Sequence, residues 1–209
     1  MSVKNIILDF GGVLLNINYK GPTEEFKRLG IDNFDELYSK ASQASLFDDL
    51  EIGKITPAQF HDAIRQLSDK PLTDEAIDKA WNSILLDLPR QNVELLIELK
   101  KKYRLFLLSN TNEIHIQSFE SAIREKYKRD ILTDVFEKVY YSSRIGLRKP
   151  HVEAFQYVLQ HNGLSANETV FIDDTPHHVE GARKAGLRAS WLDLKTTTTA
   201  RLIHEDLGL

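Results

Sequence analysis

Four short segments concentrate the groups that could do polar chemistry, and each follows an apolar run. Asp9-Phe10-Gly11-Gly12-Val13 follows Ile6-Ile7-Leu8, and Ser109-Asn110-Thr111-Asn112 follows Leu105–Leu108. Arg144–Pro150, which contains Lys149, follows Val139-Tyr140-Tyr141, and Asp173-Asp174 closes Val170-Phe171-Ile172. Together they bring three carboxylates, a hydroxyl, an amide and a lysine. If the runs are strands of one parallel sheet, these groups gather on its carboxyl rim, where open α/β sheets bind ligands. Three carboxylates on one rim repel each other and raise each other's pKa. A hard cation removes that cost, and Mg²⁺ suits it: it accepts one or two carboxylates, keeps several waters and takes phosphate oxygens. An aspartate beside such a cation can attack phosphorus and form an aspartyl-phosphate. Ser109, Asn110 and Lys149 then fit as a hydrogen-bonding and cationic clamp on the transferring phosphoryl oxygens.

The elements that must position these groups are legible in outline. The four apolar runs, with a fifth at Ala189–Leu192, are continuous rather than alternating, as strands covered on both faces should be. Helical spacing lies between them over Gln91–Lys102, Pro150–His161 and Pro176–Ala185, the last with Thr175 as its expected N-cap and Gly186 as its stop. The Thr196–Thr199 run leads into a last helix from Ala200. This alternation predicts a parallel, Rossmann-like three-layer α/β core. From about Ile17 to Leu88 the spacing is helical throughout: Phe26 and Leu29; Phe34, Leu37 and Tyr38; Phe60, Ala63, Ile64 and Leu67; Ile77, Trp81, Ile84 and Leu85. Gly and Pro residues break it into pieces. The expected organisation is a core of residues 1–16 and 89–209 with an inserted all-helical domain over 17–88, hinged near Leu15–Asn18 and Asp87–Pro89.

Composition narrows the partners. The 209 residues carry 27 Lys+Arg and 31 Asp+Glu, a formal net charge of −4, so no basic excess points to a nucleic acid. Zero Cys removes thiolate nucleophiles, disulfides and Cys-ligated metals. No apolar run is long enough to span a bilayer. Met1–Asn5 lacks a signal peptide's apolar stretch, which makes the cytoplasm the expected location. A monomer or small homo-oligomer is expected.

The set Asp9-Phe-Gly-Gly-Val, Leu108-Ser109-Asn110, Arg148-Lys149-Pro150 and Phe171-Ile172-Asp173-Asp174 resembles the haloacid dehalogenase superfamily, all four of whose motifs occur in order. The helical insert falls where that family carries a C1-type cap. Phe47…Glu51-Ile-Gly53-Lys-Ile-Thr…Phe60 and Leu108–His115 resemble the branch containing α-D-glucose-1-phosphate phosphatase. The resemblance implies a Mg²⁺-dependent phosphatase for a small phosphorylated metabolite, with a sugar phosphate as the expected substrate. It makes Asp9 the nucleophile and a metal ligand, the Gly11 carbonyl and Asp174 further ligands, and Asp173 an organiser of the metal's waters. Lys149 joins Asp9 in catalysis, and with Ser109 and Asn110 binds the phosphoryl group.

One departure stands out. Most phosphatases of the family carry a general acid where this chain has Gly11, and such help is worth about 10²–10⁴-fold. The acidic leaving group of a sugar 1-phosphate, a proton from elsewhere, or weak activity would each accommodate the loss. A 2-haloacid dehalogenase uses the same nucleophile but lacks the paired acids, so Asp173-Asp174 favours the phosphatase. A phosphate-binding regulator without turnover is the third reading. Taken singly, each residue reads blandly: a turn, a helix cap, a surface lysine, an acid favouring a helix dipole. Four such sites after four strands do not. His177-His178 point about 100° apart on a helix and read as surface residues rather than a zinc pair. Glu51 and Lys54 either reach the substrate from the insert or belong to a solvated turn.

Overall fold

The computed structural model of the chain describes residues 2–34 and 41–209. Five strands form one parallel sheet: β1 (Asn5–Leu8), β2 (Arg104–Ser109), β3 (Lys138–Tyr141), β4 (Thr169–Asp173) and β5 (Arg188–Trp191), in the order β3-β2-β1-β4-β5. All five predicted runs are strands, β5 beginning and ending one residue early. The switch of direction at β1 puts Asp9 at the crevice between β2 and β4. Register follows suit: Leu8 pairs with Leu107 on one side and Ile172 on the other, and the Asp9 backbone N–H donates to the Ile172 carbonyl at 2.9 Å.

The continuous apolar runs are explained by cover on both faces. Ile6, Leu8, Leu105, Leu107, Val170 and Ile172 pack with Leu96 and Leu99 of α5 (Arg90–Leu99) and with Ile116 and Phe119 of α6 (Glu113–Tyr127). The alternate residues Ile7, Phe106, Leu108 and Phe171 pack on the opposite face with Phe155 and Val158 of α9 (Val152–His161) and Ala182 of α10 (Pro176–Lys184). The core is therefore a three-layer sandwich. Short helices α7 (Ile131–Val135) and α8 (Ser142–Ile145) flank β3, and α11 (Thr199–Arg201) continues as a wider turn over Leu202–Asp206. Among the described residues no helix is long and apolar enough to cross a membrane.

Between β1 and α5 lie α1 (Gly21–Arg28), α2 (Ala41–Glu51), α3 (Pro57–Arg65) and α4 (Asp74–Asn82). Thr56 caps α3 in a reciprocal box with Gln59, and the Thr73 side chain caps α4. Phe26, Phe34, Phe60, Ile64, Ile77 and Trp81 form a second core of this insert, with Phe47 and Leu50, and Ile114 of α6 joins it. Leu29 and Leu67 pack at its margin, whereas Leu85 joins the sheet's core; Leu37 and Tyr38 lie outside the described residues. The two chain crossings run side by side: Asn16 N–H donates to the Asp87 carbonyl at 2.9 Å, Leu86 N–H to Asn16 at 3.0 Å, and Asn18 N–H to Ile84 at 2.8 Å.

Two local expectations need correction. Pro150 does not open α9, which starts at Val152 with His151 as N-cap. The Asn110 amide binds both the N–H and the carbonyl of Lys149, fixing the chain there ahead of the helix. Thr175 does stand at the N-cap of α10, but its side chain makes no capping bond. Its hydroxyl lies 3.4 Å from Asp174 Oδ1 instead.

Candidate active site

The site is built on Lys149. Its side chain is fully buried, and its ammonium donates to Asp9 Oδ1 and to Asp173 Oδ2, each at 2.6 Å. It also stands 5.4 Å from the centre of the Phe171 ring. A buried ammonium costs several kcal/mol unless paired; two carboxylates supply the pairing, and they hold Lys149 cationic and its pKa above the ordinary value despite its burial. The Asn110 amide accepts from the Lys149 backbone N–H and donates to its carbonyl, both at 2.9 Å. One loop after β2 thus fixes the lysine that reaches β1 and β4.

Asp9 is 7 % exposed. Burial pushes its carboxyl up, Lys149 pulls it back, and the charges of Asp173 and Asp174 add to the rise, leaving it at about 7. Burial also acts on Asp173, but Lys149 and His178 outweigh it and hold that carboxyl below the usual range. Asp173 further accepts from the Thr175 backbone N–H at 2.8 Å. Asp174 lies nearer the opening; burial first, then Asp173, raise its pKa. The Tyr19 hydroxyl donates to Asp174 Oδ2 at 2.8 Å, and the Trp191 indole N–H donates to its carbonyl at 2.9 Å.

Among the described residues, Asp9, Asp173 and Asp174 are the one group of three or more such side chains whose ligand atoms all fall within 4.8 Å of one another. All three donors are hard carboxylate oxygens, and the charges of Asp173 and Asp174 add to the rise that burial gives the Asp9 pKa. That set fits a divalent cation such as Mg²⁺. Gly12 brings the backbone against it: with φ at +78°, a Cβ here would stand 2.3 Å from Asp174 Oδ2. Gly11 differs. A Cβ there would meet only Ile17 side-chain atoms at 3.6 Å, ordinary van der Waals contact, so a side chain could start from this position without a clash.

A cavity of about 280 Å³ opens over this rim, lined by Asp9, Gly11, Ser109, Asn110 and Asp174 from the core and by Tyr19, Glu51 and Trp81 from the inserted side. Ser109 is 4 % exposed. All the sequence-selected residues therefore meet at one place, with Lys149 and Asp173 just beneath its floor. Lys54 is the exception: it is exposed and paired with Asp49 at 3.1 Å. Glu51 lines the cavity and lies 3.1 Å from Arg148 Nη2, while the other Arg148 terminal nitrogen pairs with Asp48. Burial raises the Glu51 pKa, with Arg148 opposing. Gly53 sits flush on the core: its φ is +68°, and a Cβ would lie 2.1 Å from the Ser143 carbonyl oxygen.

Three participants escaped the sequence. His178 is not a surface residue: its Nδ1 lies 3.1 and 3.0 Å from the two Asp173 oxygens, whereas His177 is exposed as expected. The signal was its place one turn into the helix that follows the acid pair. Tyr19 reaches the rim from the crossing into the insert, and nothing in its surroundings in the sequence marks it. His115 lines the cavity from the first turn of α6, at the end of the Leu108–His115 stretch.

This fold, with a buried Asp–Lys–Asp linkage on its carboxyl rim and a helical insert above, defines the haloacid dehalogenase class. The haloacid dehalogenase-like hydrolase family model matches residues 3–186, and the chain belongs to that family. It is 29 % identical over 184 residues to a D-ribitol-5-phosphate phosphatase of Bacteroides thetaiotaomicron, covering 88 % of this chain and 89 % of that one. A HAD family enzyme of the same organism, solved as an Asp-to-Ala mutant with magnesium and inorganic phosphate, superimposes with a TM-score of 0.87 at 34 % identity, covering 97 % of this chain and 99 % of that one. A predicted HAD-like hydrolase from Porphyromonas gingivalis gives a TM-score of 0.88 at 29 % identity, covering 99 % and 98 %.

Proposed function

We propose that this chain is a Mg²⁺-dependent phosphatase for a small phosphorylated metabolite, a sugar or polyol phosphate, acting through an aspartyl-phosphate on Asp9. The carrying observation is the Lys149 ammonium held between Asp9 and Asp173 at 2.6 Å, beneath a cavity of metabolite size. Relatives named as a ribitol-phosphate phosphatase and as a magnesium and phosphate complex support the reading.

Asp9, Asp174 and the Gly11 carbonyl would hold the ion, with Asp173 ordering its waters. When bound, Mg²⁺ neutralises the carboxylates and polarises the phosphoryl oxygens. An ionised Asp9 oxygen attacks phosphorus as the bond to the leaving alcohol breaks. Lys149 and Ser109 offer hydrogen bonds to the equatorial oxygens. Asn110, whose amide is committed to the Lys149 backbone, acts as a positioning residue. The departing alkoxide takes its proton from water, since Gly11 offers none; water then cleaves the acyl phosphate and restores Asp9. An acidic leaving group suits this arrangement, which favours the glucose-1-phosphate phosphatase branch among C1-capped members. Residues 1–16 and 89–209 form the catalytic core in this reading, and 17–88 the C1-type cap.

The test is phosphate release over a panel of sugar, polyol and amino-acid phosphates, with and without Mg²⁺. The expected result is Mg²⁺-dependent turnover of at least one sugar or polyol ester, lost by about 10³-fold or more in Asp9→Asn. Undiminished turnover by Asp9→Asn defeats the proposal. Metal-independent halide release from a haloacid would establish the dehalogenase reading instead.

A further inference from the structure

His115 takes no part in the steps above, yet its setting is that of a built site. It stands on the first turn of α6, where Asn112 Oδ1 accepts its backbone N–H at 3.1 Å. The residue is 8 % exposed. Its Nδ1 meets Asn82 Oδ1, at the end of α4, at 2.9 Å. Its ring lies on the Trp81 indole, with centroids 4.9 Å apart and planes 22° from parallel. A carbonyl oxygen opposite Nδ1 makes that nitrogen the protonated one and leaves Nε2 with a free lone pair. Nε2 has no hydrogen-bond partner among the described residues, and the ring lines the same cavity as Asp9 and Ser109. Burial lowers the imidazole pKa to about 3, so the ring is uncharged at neutral pH. Two residues of the insert thus clamp the ring in place and leave its one open polar atom for a ligand.

We propose that His115 Nε2 accepts a hydrogen bond from an uncharged hydroxyl on the leaving-group side of the substrate, making His115 a specificity-determining residue for polyhydroxylated phosphate monoesters. This rests on the phosphatase reading. A neutral acceptor discriminates by pairing with an O–H; a second phosphate or a carboxylate would meet lone pair with lone pair. The neighbouring lining residues Trp81, Ile84 and Phe119 offer an anion no charge, and Arg148 is already engaged by Asp48 and Glu51.

The experiment compares wild type, His115→Asn, His115→Gln and His115→Phe on D-ribitol 5-phosphate, glucose 1-phosphate and p-nitrophenyl phosphate with Mg²⁺, alongside melting midpoints. Asn retains a partner for Asn82 but loses the Nε2 position, Gln restores a polar atom near it, and Phe retains only the stacking. For the better polyhydroxylated ester, kcat/KM of the Asn and Phe variants should fall roughly tenfold, several-fold more than for the aryl ester, with partial recovery in Gln. Equal losses on both substrate classes would assign His115 a structural role and overturn the proposal. So would an unchanged polyhydroxylated ester, or a wild type that hydrolyses the aryl ester and neither of the others. A wild type inactive on all three defeats the phosphatase reading itself.

Discussion

The rim of the sheet and the wall of the insert face one cavity, yet they are built on opposite principles. On the rim, charged groups are buried and mutually locked: Lys149 lies between Asp9 and Asp173, Asn110 grips the Lys149 backbone, and Thr175 caps Asp173. Few arrangements satisfy so many buried charges, so residue type there is tightly dictated. The wall is made of packing groups: Trp81 also serves the insert's own core, Ile17 and Leu85 pack against the sheet's core, and Tyr19 and Glu51 add polar groups beside them. Many residue types could fill such positions. In the proposed function the rim sets the reaction, and the wall is free to set the substrate.

Changing one group on each side sharpens that contrast. Lys149→Met should have the largest effect, since it leaves two buried carboxylates face to face. Turnover should fall by about 10²–10³-fold or more, and stability without metal by about 3–5 kcal/mol, read by chemical denaturation. Full activity in that variant would mean that the lysine is structural filler. Trp81→Ala removes the hub of the insert's core. We expect a loss of about 3–5 kcal/mol, while added Mg²⁺ should raise the melting midpoint in the variant by as much as we expect it to in wild type. Loss of that Mg²⁺ response would show that rim and wall are not separable.

The rim was legible because parallel strands end in register. Once Ile6–Leu8, Leu105–Leu108 and Val170–Ile172 are strands, Asp9, Ser109, Asn110 and Asp173-Asp174 must share an edge. Lys149 was legible from its motif, but its position under the nucleophile depends on the Asn110 grip, which no spacing reveals. The wall was largely silent. Helical periodicity gives the insert's core residues Phe26, Phe60, Ile64 and Trp81, but not which edge of that core meets the rim. His178 was misread because helical geometry says where its neighbour points and not that Asp173 stands within reach. Pro150 was misread because a proline's preference for a first turn yields to a side chain holding the residue before it.

The last effect expected is in the pH dependence of stability. The His115 pKa falls from 6.5 to about 3 on folding, so the unfolded chain binds the extra proton between those values. Stability from this group is complete above about pH 6.5 and is lost as pH falls towards 3, by up to about 1.4 kcal/mol per pH unit. His115→Phe should remove that share, and denaturation curves between pH 4 and 7 would show a shallower fall. An unchanged slope would mean that the ring is not held neutral against the wall.

The proposed function requires that Asp9 take up the phosphoryl group. Rapid acid quenching of the enzyme during Mg²⁺-dependent turnover, followed by peptide mapping, tests it directly. We expect one phosphoryl group on the peptide bearing Asp9, absent when Mg²⁺ is chelated. Steady turnover with the phosphoryl group on another residue, or with none trapped at any quench time, would contradict it.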